Sequence, residues 1–503
     1  MHCGIVGCIM QLAKPTADSP RAAAPGAKPG HALWQVFLVT SLGAFLVSLD
    51  LSIVNVAFPA LERAFAATTR ADLAWVVTAY SIVFGSLLVI GGRTADRYGL
   101  RRVFFLGLLG FQIGSALCGI APTVSLLIAG RAIQGIGAAF CLPASVGLLL
   151  AAVPEERRSQ TVALWGGVGA LAVATGPSLG SVLVAGPGWR SAFFVNLPVG
   201  LLAWLWGRRI LPNPAVPTAQ LAAGRPDYLG AAFMALAVGS MSFAISEVGE
   251  HGWRAPRVWI ALLIAPLSAA ICIRRAARHP VPVLDLRLFA ARSFSVANLA
   301  TVAYAMGFFA MLLGNILFLT SVWHYPIERA GLAVTPGPLV VALVSGFAGR
   351  AAARSGFRSV LLPGFGFFVA GLGWLATQVG LEPAFLSQWL PGTLLVGLGI
   401  GLTFPVLSAA AVSSLPSDRF GVGSAVNQTA RQVGGAIGIA VLVAILGKPA
   451  LPAEALAAFQ RAWVFAASMA ALSGAIVVLL GRPAPRVVAA GVSAPSPVPA
   501  EVA

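Results

Sequence analysis

Charged side chains are scarce: Asp, Glu, Lys and Arg together make up 10% of the 503 residues. An ordinary soluble domain carries about a quarter, so this chain cannot clothe a water-facing surface of its own size. Histidine is rarer still, and His2, His31, His251, His279 and His324 all fall in tails or between apolar stretches. A proton relay built on imidazoles inside an apolar interior is thereby excluded. Cys3, Cys8, Cys118, Cys141 and Cys272 have neither metal-ligand nor redox spacing, so they read as small packing residues and no metal site is expected. No Gly-x-x-x-x-Gly-Lys-Ser/Thr string occurs, and the one lysine that follows a glycine, Lys448, precedes Pro449. The phosphate cradle that ATP chemistry needs is missing. A His-Glu-x-x-His pair and a nucleophile elbow are missing too, so no enzyme is expected. Gly397, Gly399 and Gly401 sit inside an apolar stretch with no strand before them, which reads as a helix-packing surface and not as a dinucleotide fingerprint.

Apolar length is what the chain has in abundance. Hydrophobic residues make up 58% of it and the mean hydropathy is +0.88. Spanning stretches are expected at 33–58, 73–92, 102–121, 124–152, 161–186, 192–211, 229–247, 257–274, 294–322, 331–350, 358–379, 388–412, 431–449 and 461–481. At about 20 residues each, fourteen spans consume roughly 280 positions, which the length allows. Backbone groups cannot stay unpaired in hydrocarbon, and no period-2 alternation is present, so helices are expected and a barrel is not. The fold class is an all-α integral membrane protein. Residues 1–31 and 483–503, rich in Ala, Pro, Gly and Ser, are expected to be disordered tails.

The net charge of +17 would suggest a nucleic-acid partner in a soluble protein. Assigned to sides by alternation through fourteen spans, 24 of the 33 cations fall on one side, 8 on the other, and Arg131 alone lies inside a span. Such a bias in short loops marks the cytoplasmic side, so both termini are expected there, and no nucleic-acid partner is.

Among the sixteen acids only Asp50 lies well inside a span. Fifteen residues of helix separate it from Gln35, about 22 Å, which places it past the middle of a hydrocarbon core roughly 30 Å thick. A carboxylate there costs a few kcal/mol unless it is paired, protonated or facing water. Two readings stand: a satisfied structural group, or a carboxyl that trades a proton for substrate. Arg131 is its natural partner. Gln134 and Gly135, three and four residues on, share its helix face. Arg131 is either the coupling partner of Asp50 or a structural cation bonded to carbonyls.

A repeat organises the whole. Gly92-Arg93-Thr94-Ala95-Asp96-Arg97-Tyr98-Gly99-Leu100-Arg101 matches Gly349-Arg350-Ala351-Ala352-Ala353-Arg354-Ser355-Gly356-Phe357-Arg358 at six of ten positions. Gly135, Gly137 and Pro143 are echoed by Gly397, Gly399 and Pro405, and the two offsets, 257 and 262 residues, nearly agree. Two parallel six-helix bundles, 32–211 and 293–482, are therefore expected, with two helices inserted at 227–276.

These motifs resemble the major facilitator superfamily, and within it the fourteen-helix drug:proton antiporter branch, over about residues 33–481. Gly92, Asp96, Arg97, Gly99, Arg101 and Arg102 match the signature loop between helices two and three. Arg131-x-x-Gln134-Gly135-x-Gly137 resembles the helix-four motif tied to proton transfer. Gly176-Pro177-Ser178-Leu179-Gly180 resembles the helix-five antiporter motif that marks exporters, with Ser181 in place of the usual second glycine. The stretch from Leu49 to Pro59, Trp189-Arg190 with Asn196, and Asn427-Gln428-Thr429-x-Arg431-Gln432 agree further.

The resemblance implies a proton-coupled antiporter that exports lipophilic drugs or antibiotics across a bacterial cytoplasmic membrane. The alternative is a dedicated exporter of one endogenous metabolite. No cofactor is implied, since the proton gradient drives transport. Asp50 and Arg131 would carry the coupling, and Asn55, Gln134, Asn298, Asn315 and Asn427 are candidate substrate contacts, each equally readable as an interhelical hydrogen bond. A single deep acid points to neutral or monocationic substrates. In a Gram-negative host a periplasmic adaptor is an implied partner; otherwise a monomer is.

Overall fold

Apolar stretches in hydrocarbon must close their own backbone hydrogen bonds, and among the described residues every element is helical. The computed structural model describes residues 29–154, 158–213, 224–415 and 419–479. In the first half run α1 (Pro29–Ala64), α2 (Arg70–Tyr98), α3 (Leu100–Ile120), α4 (Val124–Ala152), α5 (Arg158–Ala185), the short α6 (Ser191–Phe194) and α7 (Asn196–Ile210). Next come α8 (Tyr228–His251) and α9 (Pro256–Ala276). The second half holds α10 (Arg292–Ser321), α11 (Ile327–Val334), α12 (Pro336–Ser355), α13 (Phe357–Gln378), α14 (Leu390–Val412), α15 (Phe420–Leu446) and α16 (Pro452–Val478). The tails beyond residues 29 and 479 lie outside the described residues, with their cations Lys14, Arg21, Lys28, Arg482 and Arg486, and so does Arg157.

Among the described residues, twelve helices are long and apolar enough to cross a membrane, and a thirteenth if the bent α5 counts as one. The expected sixth span, 192–211, is built instead from α6 and the 15-residue α7, broken at Val195. Fourteen spans are thus not reached by helix length alone. A second expectation fails more informatively. The stretch 431–449 was expected to begin at Arg431, leaving that residue in a loop, whereas α15 starts at Phe420 and carries Arg431 three turns inside. Asn427 and Thr429 look like a loop because they are polar, but they face other helices. Arg431 therefore joins Arg131 as a cation within a span.

The repeat is visible as geometry. Gly99 ends α2 at φ 96° and its N–H bonds to Ala95 O at 3.0 Å; Gly356 ends α12 at φ 91° and bonds to Ala352 O at 2.9 Å. At positive φ a side chain would be strained, so glycine is required at both turns.

Both halves hold a helix pair in backbone contact, and the second adds a core of aromatic rings. In the first, α3 and α4 meet backbone to backbone: a Cβ on Gly137 would lie 2.1 Å from Phe111 N, and one on Gly107 2.4 Å from Cys141 N. In the second, aromatic rings fill the core, with Phe318 stacked on Trp389 at 5.7 Å and edge-on to Trp463 at 5.0 Å. Both indole N–H groups are satisfied, by Ala333 O at 3.0 Å and Asn315 Oδ1 at 2.9 Å. Across the halves α2 packs on α15, where Thr429 Oγ1 donates to Gly85 O at 2.7 Å, and α5 packs on α11. The inserted α8 lies over the outer groove of α2 and α15, joining Ile82, Val238 and Ala436 in one apolar cluster.

Candidate functional site

Asp50 on α1 and Arg131 on α4 meet, although 81 residues separate them: Arg131 Nη1 donates to Asp50 Oδ2 at 2.5 Å. Both side chains are fully buried. Arg131 Nε donates to Val76 O on α2 at 2.8 Å, and Nη1 also reaches Gln134 Oε1 at 2.7 Å. Gln134 Nε2 in turn donates to Asp50 Oδ1 at 2.7 Å and to Ser115 Oγ at 3.0 Å. From the start of α7, Asn196 Nδ2 donates to Asp50 Oδ1 at 3.2 Å and to Ser115 Oγ at 2.8 Å. The Tyr80 ring lies under the guanidinium, 4.2 Å from its carbon. Five helices thus hold one charge pair away from solvent, which is tolerable only because most of its hydrogen-bonding groups are met. Arg131 Nη2, Tyr80 Oη and Asn196 Oδ1 find no acceptor or donor among the described residues.

Gln134, expected as a substrate contact, is wholly inside this network. Asn196, Ser115 and Tyr80 were not among the expected site residues. Asn196 could have been suspected as an amide inside an apolar stretch, but Ser115 is indistinguishable from any packing serine. The remaining candidates are engaged between or along helices. Asn427 Nδ2 donates to Thr301 Oγ1 at 2.9 Å and Asn298 Oδ1 at 3.2 Å, Asn298 Nδ2 to Phe294 O at 2.8 Å, and Asn55 Nδ2 to Leu51 O at 2.6 Å. Asn315 accepts the Trp463 N–H. Asn55 Oδ1 meets no donor.

The helix-five motif lies against α1. A Cβ on Gly176 would come within 2.3 Å of Ser52 Oγ, and one on Gly180 within 3.3 Å of Ile53 Cα. Pro177 has no N–H for Val173 O, the carbonyl four residues earlier, and α5 bends by 41° between Val173 and Thr175. Farther along, Ser178 Oγ and Thr335 Oγ1 share a hydrogen bond at 2.7 Å, and Gly331 on α11 sits so close to Ser181 that a Cβ there would be 2.3 Å away. The halves are therefore in contact at the end of the bundle opposite the signature loop.

In that loop Arg97 Nη1 donates to Gly224 O at 2.7 Å and Arg101 Nη2 to Arg208 O at 2.6 Å. The two guanidiniums tie α2 and α3 to the end of α7 and to the strand of chain leading into α8. Arg93, one turn before Asp96, is the cation acting on that carboxylate, while Arg102 is exposed. A Cβ on Gly92 would meet Pro143 at an ordinary 3.6 Å.

A family profile described as Major Facilitator Superfamily matches residues 40–439. The chain is 33% identical over 412 residues to the multidrug resistance protein Stp of Mycobacterium tuberculosis, covering 81% of this chain and 75% of that one. It is 33% identical over 432 residues to the puromycin resistance protein pur8 of Streptomyces alboniger, covering 84% and 83%. Among solved structures, an auto-inhibited POT family peptide transporter superposes with a TM-score of 0.62 at 17% identity, over 90% of this chain and 99% of that one. By sequence and by fold, the chain belongs to the major facilitator superfamily.

Proposed function

We propose that the protein exports lipophilic small molecules, drugs or antibiotics, in exchange for protons, by alternating access across a bacterial cytoplasmic membrane. The observation that carries this reading is the sealed Asp50–Arg131 pair, caged by α1, α2, α3, α4 and α7. Protonation of Asp50 removes the counter-charge from Arg131, which then stands as an unpaired cation among α1, α2 and α4. The buried pair is a two-state element of the kind that couples ion binding to rearrangement. Likeness to a multidrug resistance protein supports a broad substrate range, and likeness to a puromycin resistance protein supports export of a single compound as the second reading. The uneven distribution of cations between the loops supports cytoplasmic termini.

The test is substrate-induced proton release from the purified chain and in proteoliposomes. Asp50→Asn is expected to abolish it while the protein still folds, and unchanged release in that variant would overturn the assignment. Arg131→Lys keeps the charge but cannot reach Asp50, Gln134 and Val76 together, so proton-driven export is expected to fail there too.

A further inference from the structure

Arg431 lies three turns inside α15, and among the described residues it meets no carboxylate. Of the acids of the second half, Glu328, Glu382 and Glu454 lie at helix starts or in a loop, and Asp418 and Glu501 lie outside the described residues. Nη2 donates to Ser408 Oγ on α14 at 2.6 Å, the guanidinium carbon lies 4.2 Å over the Phe404 ring, and Nε finds no acceptor. A guanidinium has five donors, so most of its capacity is unspent.

Its direction follows from helical geometry. On α15, Asn427, Gly434 and Gly438 face α10, Thr429 and Gln432 face α2, and Val433 and Ala436 face α8. At 100° per residue, Arg431 lies on the arc between the α10 and α2 contacts, opposite α8, with Gly421, Ser424 and Gln428. That arc faces the interior between the halves. Its exposure declines along the helix, from exposed Gly421 and Ser424 through half-buried Gln428 and Arg431 to buried Gly435. This gradient points to an approach to Arg431 from the signature-loop end, while α5 and α11 meet at the opposite end. Behind the half-buried Phe404 ring, buried Phe308 and Tyr304 stand 4.8 Å and 5.7 Å from it ring to ring.

We propose that Arg431, with Ser408 and the Phe404 ring, is a substrate subsite for an acidic group carried on an aromatic or apolar body. An unpaired cation at this depth is costly. A carboxylate, phenolate or enolate approaching Arg431 supplies the missing acceptors, and the Phe404 ring takes the flat apolar part. This shifts the expected substrate class away from monocations. It rests on the export reading for its biological use, but its test does not.

The full chain in detergent is titrated with three probes, 1-pyrenebutyrate, its methyl ester and 1-pyrenebutylamine, read by energy transfer from tryptophan with no proton gradient. The carboxylate is expected to bind about tenfold more tightly than the ester, the effect of one charge-assisted hydrogen bond. Arg431→Gln is expected to erase that ratio while ester affinity stays within about twofold; a packing role alone would weaken both probes equally. The wild type supplies a second readout, since its preference should vanish as the pH falls below the probe's carboxyl range, about 4. An unchanged ratio in Arg431→Gln, a wild-type preference for the amine, or a preference that persists at low pH would overturn the subsite. Flux of the ester into proteoliposomes under a pH gradient tests export separately: lost flux with the preference intact overturns the export reading only.

Discussion

Ser52 Oγ on α1 donates to Val173 O on α5 at 3.1 Å, taking the carbonyl that Pro177 leaves without its helical N–H. The antiporter motif therefore does not simply weaken α5. It transfers one backbone hydrogen bond to the neighbouring helix, so the bend in α5 and its seat on α1 are one feature.

Removing that hydroxyl with Ser52→Ala should cost on the order of 1 kcal/mol, as for a buried hydrogen bond that loses its donor. Gly176→Ala should do more harm, because its Cβ would fall within 2.4 Å of Ser52 Cβ and push α5 away from α1. Thermal unfolding of the purified protein together with transport ranks the two, and equal behaviour would contradict the close seat.

Glycines that share a motif should differ sharply when substituted. Gly137→Ala places a Cβ 2.1 Å from Phe111 N, and its repeat mate Gly399→Ala one 2.6 Å from Phe368 N, both against backbone that cannot yield. Severe loss of folded protein is expected in each. Gly349→Ala meets nothing within 4 Å and should be neutral or stabilising by about 0.5–1 kcal/mol, as for an unconstrained glycine within a helix. Yield and monodispersity on gel filtration decide this.

At Gly99 the constraint is backbone conformation. With φ at 96°, Gly99→Ala should cost roughly 1–3 kcal/mol, and Gly356→Ala at φ 91° a similar amount. Matching drops in unfolding temperature would show that the two loops of the repeat bear the same strain.

The inserted helix pair is fastened by an acid. Asp227 Oδ1 caps α8 by accepting from Gly230 N at 2.9 Å, and it takes Arg275 Nη2 at 2.7 Å and Nε at 3.1 Å from α9. Burial disfavours its charged form, but the Arg275 hydrogen bonds, the Gly230 N–H and the nearby cations outweigh it and hold the carboxyl below its usual range. A carboxyl lowered on folding adds stability that is complete above the unfolded value, about 4, and is lost as pH falls through the folded one. Unfolding temperature should therefore drop below about pH 4 in the wild type. Asp227→Asn should start lower and lose that part of the pH dependence; an identical acid limb in both would sink the assignment.

Much was legible in the linear chain because membranes punish exceptions. Apolar runs, the duplicated Gly-Arg loops and the singular Asp50 follow from a solvent that accepts neither bare backbone nor bare charge. Position along a helix can be read from such a string, but position around it cannot. Whether Gln134 turns toward a cleft or toward Asp50 depends on where α1, α3 and α7 stand. The depth of Arg431 was hidden for a related reason: hydropathy detects the faces that meet lipid, and the first half of α15 meets other helices, so its polar residues looked like a loop. Tertiary structure alone decided that Asp50 and Arg131 touch, that Asn196 and Ser115 complete their cage, and that Arg431 meets Ser408 and Phe404 and no carboxylate among the described residues, because each depends on packing between helices.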